Sequence, residues 1–82
     1  PPRRMGPRKA RALPGGPAPL GDAVGRVAGE MVWAYPPGVP LLVPGEEVTE
    51  ALARSLEEMS RRGVALHGER GRPPETVWVL EP

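Results

Sequence analysis

Proline and glycine interrupt this chain along its whole length and limit the elements that it can form. The sequence has 82 residues, of which 13 are proline and 11 are glycine. Proline fixes φ and removes a backbone donor, whereas glycine weakens the interior of helices and strands. A long helical bundle is therefore excluded, and the length leaves room for one small domain at most.

Charge divides the chain into a basic lead-in and an acidic remainder. Residues 1–20 carry five basic side chains and no acid, a charge of +5, while residues 21–82 carry six arginines and ten acids, a charge of −4. The basic segment has no interleaved aromatic residues and precedes an acidic domain, so the sequence does not favour nucleic-acid binding.

The absence of certain residues and segments excludes several classes of protein. Cysteine is missing, which removes disulfide frameworks and thiolate zinc sites. No stretch approaches the ~20 apolar residues that a membrane-spanning helix needs, so no membrane partner is predicted and the expected location is the cytoplasm. The first residue is not methionine, and we expect the chain to be a piece of a longer protein.

The composition changes near Leu20. Residues 1–19 are rich in proline and arginine and nearly devoid of large apolar side chains, so they are predicted to be a linker or a strap on a partner surface. Residues 20–82 are predicted to form the folded domain. Its core is near the lower limit for independent folding, so we expect the domain to dock on a larger body.

The predicted domain is α+β, with three to four short strands, one main helix over about 48–62 and a short helix over about 20–28. Thr49 is the expected N-cap of the main helix and Gly63 its stop. On the exposed side of this helix we expect ion pairs at i,i+4 spacing. These are Glu50–Arg54, Glu57–Arg61 and Glu58–Arg62. The predicted strands cover residues 30–35, 41–43, 64–67 and 76–80.

Self-contained catalysis is not indicated by the reactive side chains. His67 is the single histidine, and without further metal-ligating or acid–base residues in sequence it is predicted to be a solvent-edge strand residue. Residues 11–17 match the polyproline-recognition pattern R-x-L-P-x-x-P, which a chain this rich in proline and arginine produces by chance.

The most specific pattern lies between residues 22 and 49. It reads A-V-G-R-V-A-G-E over residues 23–30, then Y-P-P-G-V-P-L-L-V-P-G-E over 35–46, then Val48-Thr49. Its fixed residues include Gly25, Arg26, Pro36, Pro37, Gly38, Pro40, Pro44 and Gly45. Three prolines around Gly38 predict a stiff turn over 36–40 in which Gly38 is free to adopt positive φ, and Pro44-Gly45 predicts a second turn.

This pattern resembles the C-terminal domain of the bacterial ornithine/lysine/arginine decarboxylases, pyridoxal-phosphate enzymes of the aminotransferase-like fold. The resemblance implies that the cofactor and its Schiff-base lysine belong to a larger domain absent here. Lys9, the sole lysine, matches no catalytic position. The 82-residue chain alone is therefore not expected to be catalytic or to bind a cofactor or metal, whereas its parent is expected to be a decarboxylase.

The resemblance also implies what this domain contributes. It is expected to pack on the large domain of the same protein, to line the active-site entrance near the interface of a homodimer or higher oligomer, and to present Tyr35 to a basic amino-acid substrate bound in the neighbouring subunit. Glu46 either balances the charge of that substrate or accepts backbone N–H groups at its own turn. The alternative is a non-catalytic interaction module that docks through the proline-rich arm or the Y-P-P-G loop.

Overall fold

Two small antiparallel sheets and three helices form the described part of the chain. The structure is a computed structural model that describes residues 1–35 and 38–82. In chain order the elements are α1 (Pro7–Ala12), β1 (Gly15–Pro19), α2 (Leu20–Ala23), β2 (Val32–Ala34), β3 (Pro40–Leu42), α3 (Glu50–Arg61), β4 (Leu66–Gly68) and β5 (Thr76–Leu80). The predicted α+β class with one main helix is confirmed.

The two sheets differ in size and in the parts of the chain that they join. One consists of β1 and β5, in a register that runs from Gly15 opposite Leu80 to Pro19 opposite Thr76. The other has the order β3-β2-β4, with β2 at its centre. Both sheets and α3 contribute buried side chains, and the largest fully buried apolar ones include Leu42, Leu56, Val32, Val48, Val77 and Val79. The core therefore lies where the sheets and α3 meet.

The lead-in differs from the linker or strap that its composition predicts over residues 1–19. It contains α1 and the whole of β1, and its small side chains Ala10 and Ala18 are buried. Pro17 and Pro19 are two residues apart, so their donor-less nitrogens face the same side of β1, which an edge strand tolerates. The lead-in is held by small side chains and by backbone pairing. The prediction of a linker considered only large apolar side chains and therefore did not include these contacts.

The main helix follows its sequence signals closely. Thr49 caps α3 by accepting a hydrogen bond from the backbone N–H of Leu52 at 3.1 Å, and Gly63 adopts a φ of 85° just after the helix. Two predicted ion pairs are present, Glu50–Arg54 at 2.6 Å and Glu58–Arg62 at 2.9 Å. Arg61 pairs with Glu58 at 2.6 Å, whereas Glu57 was its predicted partner.

The first predicted helix is wrong in length. It was expected over about 20–28, but α2 ends at Ala23. Gly25 adopts a φ of 89°, which takes the chain out of the helix. Val27 and Ala28 then form single bridges to Glu47 and Val79 instead of continuing a helical face.

The two turns of the sequence pattern have different outcomes. The turn predicted over 36–40 includes Pro36 and Pro37, which lie outside the described residues. The second turn is confirmed: Glu46 N–H donates to the Val43 carbonyl at 3.0 Å, and Gly45 has a φ of 95°. The N–H groups of Arg4 and Met5 donate to the Gly45 carbonyl at 2.8 and 3.2 Å, so the lead-in lies directly on this turn.

Gly45 is expected to be the glycine least tolerant of a side chain. A Cβ at this position would lie 2.1 Å from the Met5 carbonyl oxygen, and the positive φ adds strain. We expect Gly45→Ala to lower the free energy of unfolding by on the order of 2–4 kcal/mol. Gly21→Ala is the matched control, because no atom lies within 4 Å of its added Cβ, and alanine favours a helix. Urea unfolding of both variants checks this, and equal midpoints would contradict it.

Candidate functional site

The candidate site lies at the end of β2, where the chain leaves the three-stranded sheet. Tyr35 follows the strand, and its backbone N–H donates to the Ala65 carbonyl at 2.9 Å. Tyr35 is 65% exposed and the nearby Val39 is 81% exposed, although both are large apolar residues. The structure thus places the predicted site residue Tyr35 at the surface, on a backbone that the sheet fixes.

Three rings gather on this part of the sheet, and we call Trp33, Tyr35 and His67 the aromatic cluster. The rings of Trp33 and His67 stack with centroids 5.8 Å apart and planes 22° apart. The rings of Tyr35 and His67 meet edge to face, with centroids 6.0 Å apart and planes at 65°. His67 is exposed in β4, as predicted, but its aromatic neighbours were not foreseen.

A shallow cavity of about 260 Å³ adjoins the aromatic cluster. It is lined by Met31, Trp33, Gly38, Pro40 and Glu69. One lining residue belongs to the cluster and another, Pro40, begins β3 and is a fixed residue of the sequence pattern. The cavity therefore connects the cluster to the loop after β4.

Glu46, the second predicted site residue, serves its own turn. Its side-chain Oε1 accepts the N–H of Val43 at 2.7 Å, and its carbonyl accepts the N–H of Ala28 at 2.8 Å. Within residues 1–35 and 38–82, no hydrogen bond or ring contact joins Glu46 to the aromatic cluster. Of the two alternatives for Glu46, the structure shows the backbone bond at the turn.

Three further fixed residues of the pattern, Gly25, Arg26 and Pro44, shape the fold around the site. The Gly25 N–H donates to the Val48 carbonyl at 2.7 Å. The Arg26 guanidinium donates to the Leu80 carbonyl at 2.7 Å, which ties the segment after α2 to the end of β5. Pro44 is fully buried in the second turn. Gly25 and Arg26 thus hold backbone segments in place, and Pro44 contributes to the buried interior.

Glu30 is a buried carboxylate whose role the sequence analysis missed. Its side chain has no exposed area. Oε1 accepts the N–H groups of Arg70 and Gly71 at 2.8 and 3.0 Å, and Oε2 accepts that of Trp78 at 2.6 Å. Three donors satisfy the charge where no water reaches it. The sequence signal that could have predicted this role is an acidic residue directly before a strand-like run of large apolar side chains.

Glu69 joins the same loop to α1 and to the start of β2. Oε1 accepts the Met31 N–H at 2.7 Å, and Oε2 pairs with the Arg11 guanidinium at 2.7 Å. Partial burial acts to raise the pKa of Glu69, but the Met31 hydrogen bond and the Arg11 and Arg70 guanidinium groups outweigh it and hold the pKa below its ordinary value of 4.5. The carboxylate is therefore ionised at neutral pH.

The proline-rich arm is engaged within the domain. The Pro14 carbonyl accepts the N–H of Glu81 at 3.0 Å, and Pro17 pairs with Trp78 in the register of β1 and β5. The R-x-L-P-x-x-P segment thus lies partly in a sheet. A polyproline-binding partner would have to compete with that pairing.

The side chains of residues 1–35 and 38–82 were compared with what a metal site and a pyridoxal-phosphate site need. No group of three or more histidine or acidic residues among them is arranged to hold a metal ion. Lys9 is exposed on α1, whereas a lysine that forms a Schiff base is desolvated in a pocket. The exposed Lys9 therefore does not fit the role of the Schiff-base lysine of pyridoxal phosphate. None of their helices is long and apolar enough to span a membrane.

Comparison with known proteins identifies the family. Residues 16–70 match the family described as Orn/Lys/Arg decarboxylase, C-terminal domain, and the chain belongs to this family. Over 77 residues it is 35% identical to an arginine decarboxylase of Halalkalibacterium halodurans, covering 94% of this chain and 16% of that protein. The resemblance stated from the sequence is confirmed.

Further relatives include both arginine decarboxylases and lysine decarboxylases. An arginine decarboxylase of Bacillus subtilis is 44% identical over 63 residues, which cover 77% of this chain and 13% of that protein. The inducible lysine decarboxylase of Escherichia coli is 50% identical over 38 residues, covering 46% and 5%. The chain thus spans only a small part of the length of these relatives. No solved structure gives a significant match.

Removal of the Glu30 charge is expected to destabilise the domain. In Glu30→Gln the amide has one acceptor oxygen, and its NH₂ group faces a backbone donor. We expect the free energy of unfolding to fall by about 2–4 kcal/mol. Glu57→Gln, on the exposed face of α3, is the matched control and should change it by less than ~0.5 kcal/mol. Chemical denaturation measures both, and a stable Glu30→Gln variant would refute the role of this carboxylate.

The contribution of Glu69 is expected to depend on pH. Its pKa in the folded protein is lowered, so the carboxylate stabilises the fold above its ordinary value of 4.5, and this contribution is lost as the pH falls through the folded-state pKa. Wild type should therefore melt above Glu69→Gln at pH 7, and the difference should shrink toward zero in acid. Melting curves between pH 7 and pH ~3 test this. A difference that does not change with pH would argue against it.

Proposed function

We propose that this chain is the part of a pyridoxal-phosphate-dependent basic amino-acid decarboxylase that borders the active-site entrance, with Tyr35 contacting the substrate. The observation that carries the proposal is the exposure of Tyr35. The residue is 65% exposed, yet its backbone is bonded to Ala65 and its ring contacts His67. A large aromatic side chain that is fixed but uncovered is typical of a contact surface.

The hydroxyl of Tyr35 suits the recognition of a charged substrate. A phenol can donate or accept a hydrogen bond, and its ring can lie against an alkyl chain. Because its backbone is already held by the sheet, Tyr35 loses little conformational freedom when it contacts a ligand. In this role it binds and orients the substrate and takes no part in bond breaking.

The catalytic machinery is proposed to reside in the larger domain of the same protein. The exposed Lys9 does not fit the cofactor, so pyridoxal phosphate and its lysine are assigned to that domain. The relatives carry both arginine decarboxylase and lysine decarboxylase in their names, which supports a basic amino acid as the substrate class. We further propose a cytoplasmic homodimer or higher oligomer that supplies amines to polyamine biosynthesis.

Tyr35→Phe tests the proposal in the full-length decarboxylase that contains this chain. Loss of a hydroxyl that contacts substrate should lower kcat/KM for the preferred basic amino acid by about tenfold to hundredfold, or roughly 1–3 kcal/mol. The ring remains, so melting temperature and cofactor content should stay unchanged. Val39→Ile is the matched control, because it adds one carbon to a residue that is 81% exposed in the same region.

The opposite pattern of kinetics and stability would show that Tyr35 is not a site residue. If the hydroxyl only stabilised the local fold, Tyr35→Phe would lower the melting temperature and leave the kinetics normal. Steady-state kinetics and thermal melting of a single preparation therefore separate the two roles.

A further inference from the structure

The sheet register places the three rings of the aromatic cluster on one face. Trp33 in β2 is directly opposite His67 in β4. Tyr35 is two residues after Trp33, so its side chain points to the same face. His67 is therefore the cross-strand neighbour of Trp33 and the diagonal neighbour of Tyr35, a distance that aromatic side chains can bridge.

The residue that bonds to the Tyr35 backbone, just before β4, has a small side chain. The Tyr35 N–H bonds to the carbonyl of Ala65, and an alanine offers only a methyl group. Among residues 1–35 and 38–82, the ring of Tyr35 contacts the ring of His67, at 6.0 Å between centroids. His67 is in turn held by stacking on Trp33, which is half-buried.

We propose that His67 is a positioning residue that fixes the ring of Tyr35. Trp33 anchors the imidazole, and the imidazole presents a surface against which the phenol rests edge to face. Such contacts between aromatic rings depend on shape and on the charge distribution of the ring, so another flat aromatic side chain can replace the imidazole. The relevance to substrate turnover rests on the proposed function, but the contact itself does not.

The test uses two substitutions of His67 in the full-length decarboxylase. His67→Ala removes the ring, and His67→Phe keeps a ring but removes the imidazole nitrogens. The direct readout is ¹⁹F NMR of enzyme labelled with 3-fluorotyrosine, in which the Tyr35 resonance is identified by its absence from Tyr35→Phe. We expect His67→Ala to move this resonance toward that of free 3-fluorotyrosine, and His67→Phe to leave it near the wild-type position.

The kinetic readout separates positioning from acid–base chemistry. Displacement of Tyr35 in His67→Ala should lower kcat/KM by roughly tenfold, whereas His67→Phe should stay within about twofold of wild type. In the Tyr35→Phe background, His67→Ala should cause little further loss, because residues that act as a unit are not additive. Loss of activity in His67→Phe as large as in His67→Ala would overturn the proposal in favour of a role for the imidazole nitrogens.

Failure of this inference and failure of the proposed function give different results. An unmoved Tyr35 resonance in His67→Ala overturns the positioning role, whatever the kinetics of Tyr35→Phe. A resonance that moves in His67→Ala supports the positioning role even if Tyr35→Phe has wild-type kinetics, and in that case only the substrate contact is rejected.

Discussion

The buried carboxylate of Glu30 is the interaction on which the remaining structure depends. It precedes β2 in one sheet, and it accepts the N–H of Trp78 in β5 of the other. Its second oxygen holds the loop between β4 and β5 through two further N–H groups. The Glu30 side chain thus links two sheets that share no ladder, beside the backbone bonds that the preceding residues make to β5. His67 lies in β4, directly before that loop. Because Glu30 holds the loop, it also helps to position the aromatic cluster.

Local signals predicted local structure well. Residues a few positions apart determine the cap at Thr49 and the stop at Gly63. They also determine the two predicted i,i+4 ion pairs of α3 that are present, out of three predicted. Long-range pairing was not predictable in the same way. The sequence analysis missed β1 because its prolines and glycines resemble a linker, and only the pairing with β5 makes them a strand. The same holds for the shortened α2, whose continuation pairs with distant segments.

The candidate site also contains features that the sequence predicts and features that only long-range contacts create. Tyr35 was predicted as a site residue through the family resemblance, and the structure adds its exposure and its contact with His67. The role of Glu30 and the cluster around His67 arise from residues 32 to 48 positions apart, so no short motif encodes them. Some fixed residues of the pattern, such as Gly25 and Gly45, shape the backbone, whereas Tyr35 presents a large side chain to the surface.

The pairing of β1 with β5 has a consequence for the order of events during synthesis. The two strands are at opposite ends of the chain, with Gly15 opposite Leu80. A ribosome releases β1 long before β5, so this sheet forms only after β5 has emerged. Contacts between such distant segments also slow folding, since a long loop must close first. Until then β1 remains unpaired, and the core lacks the buried Val77 and Val79 of β5.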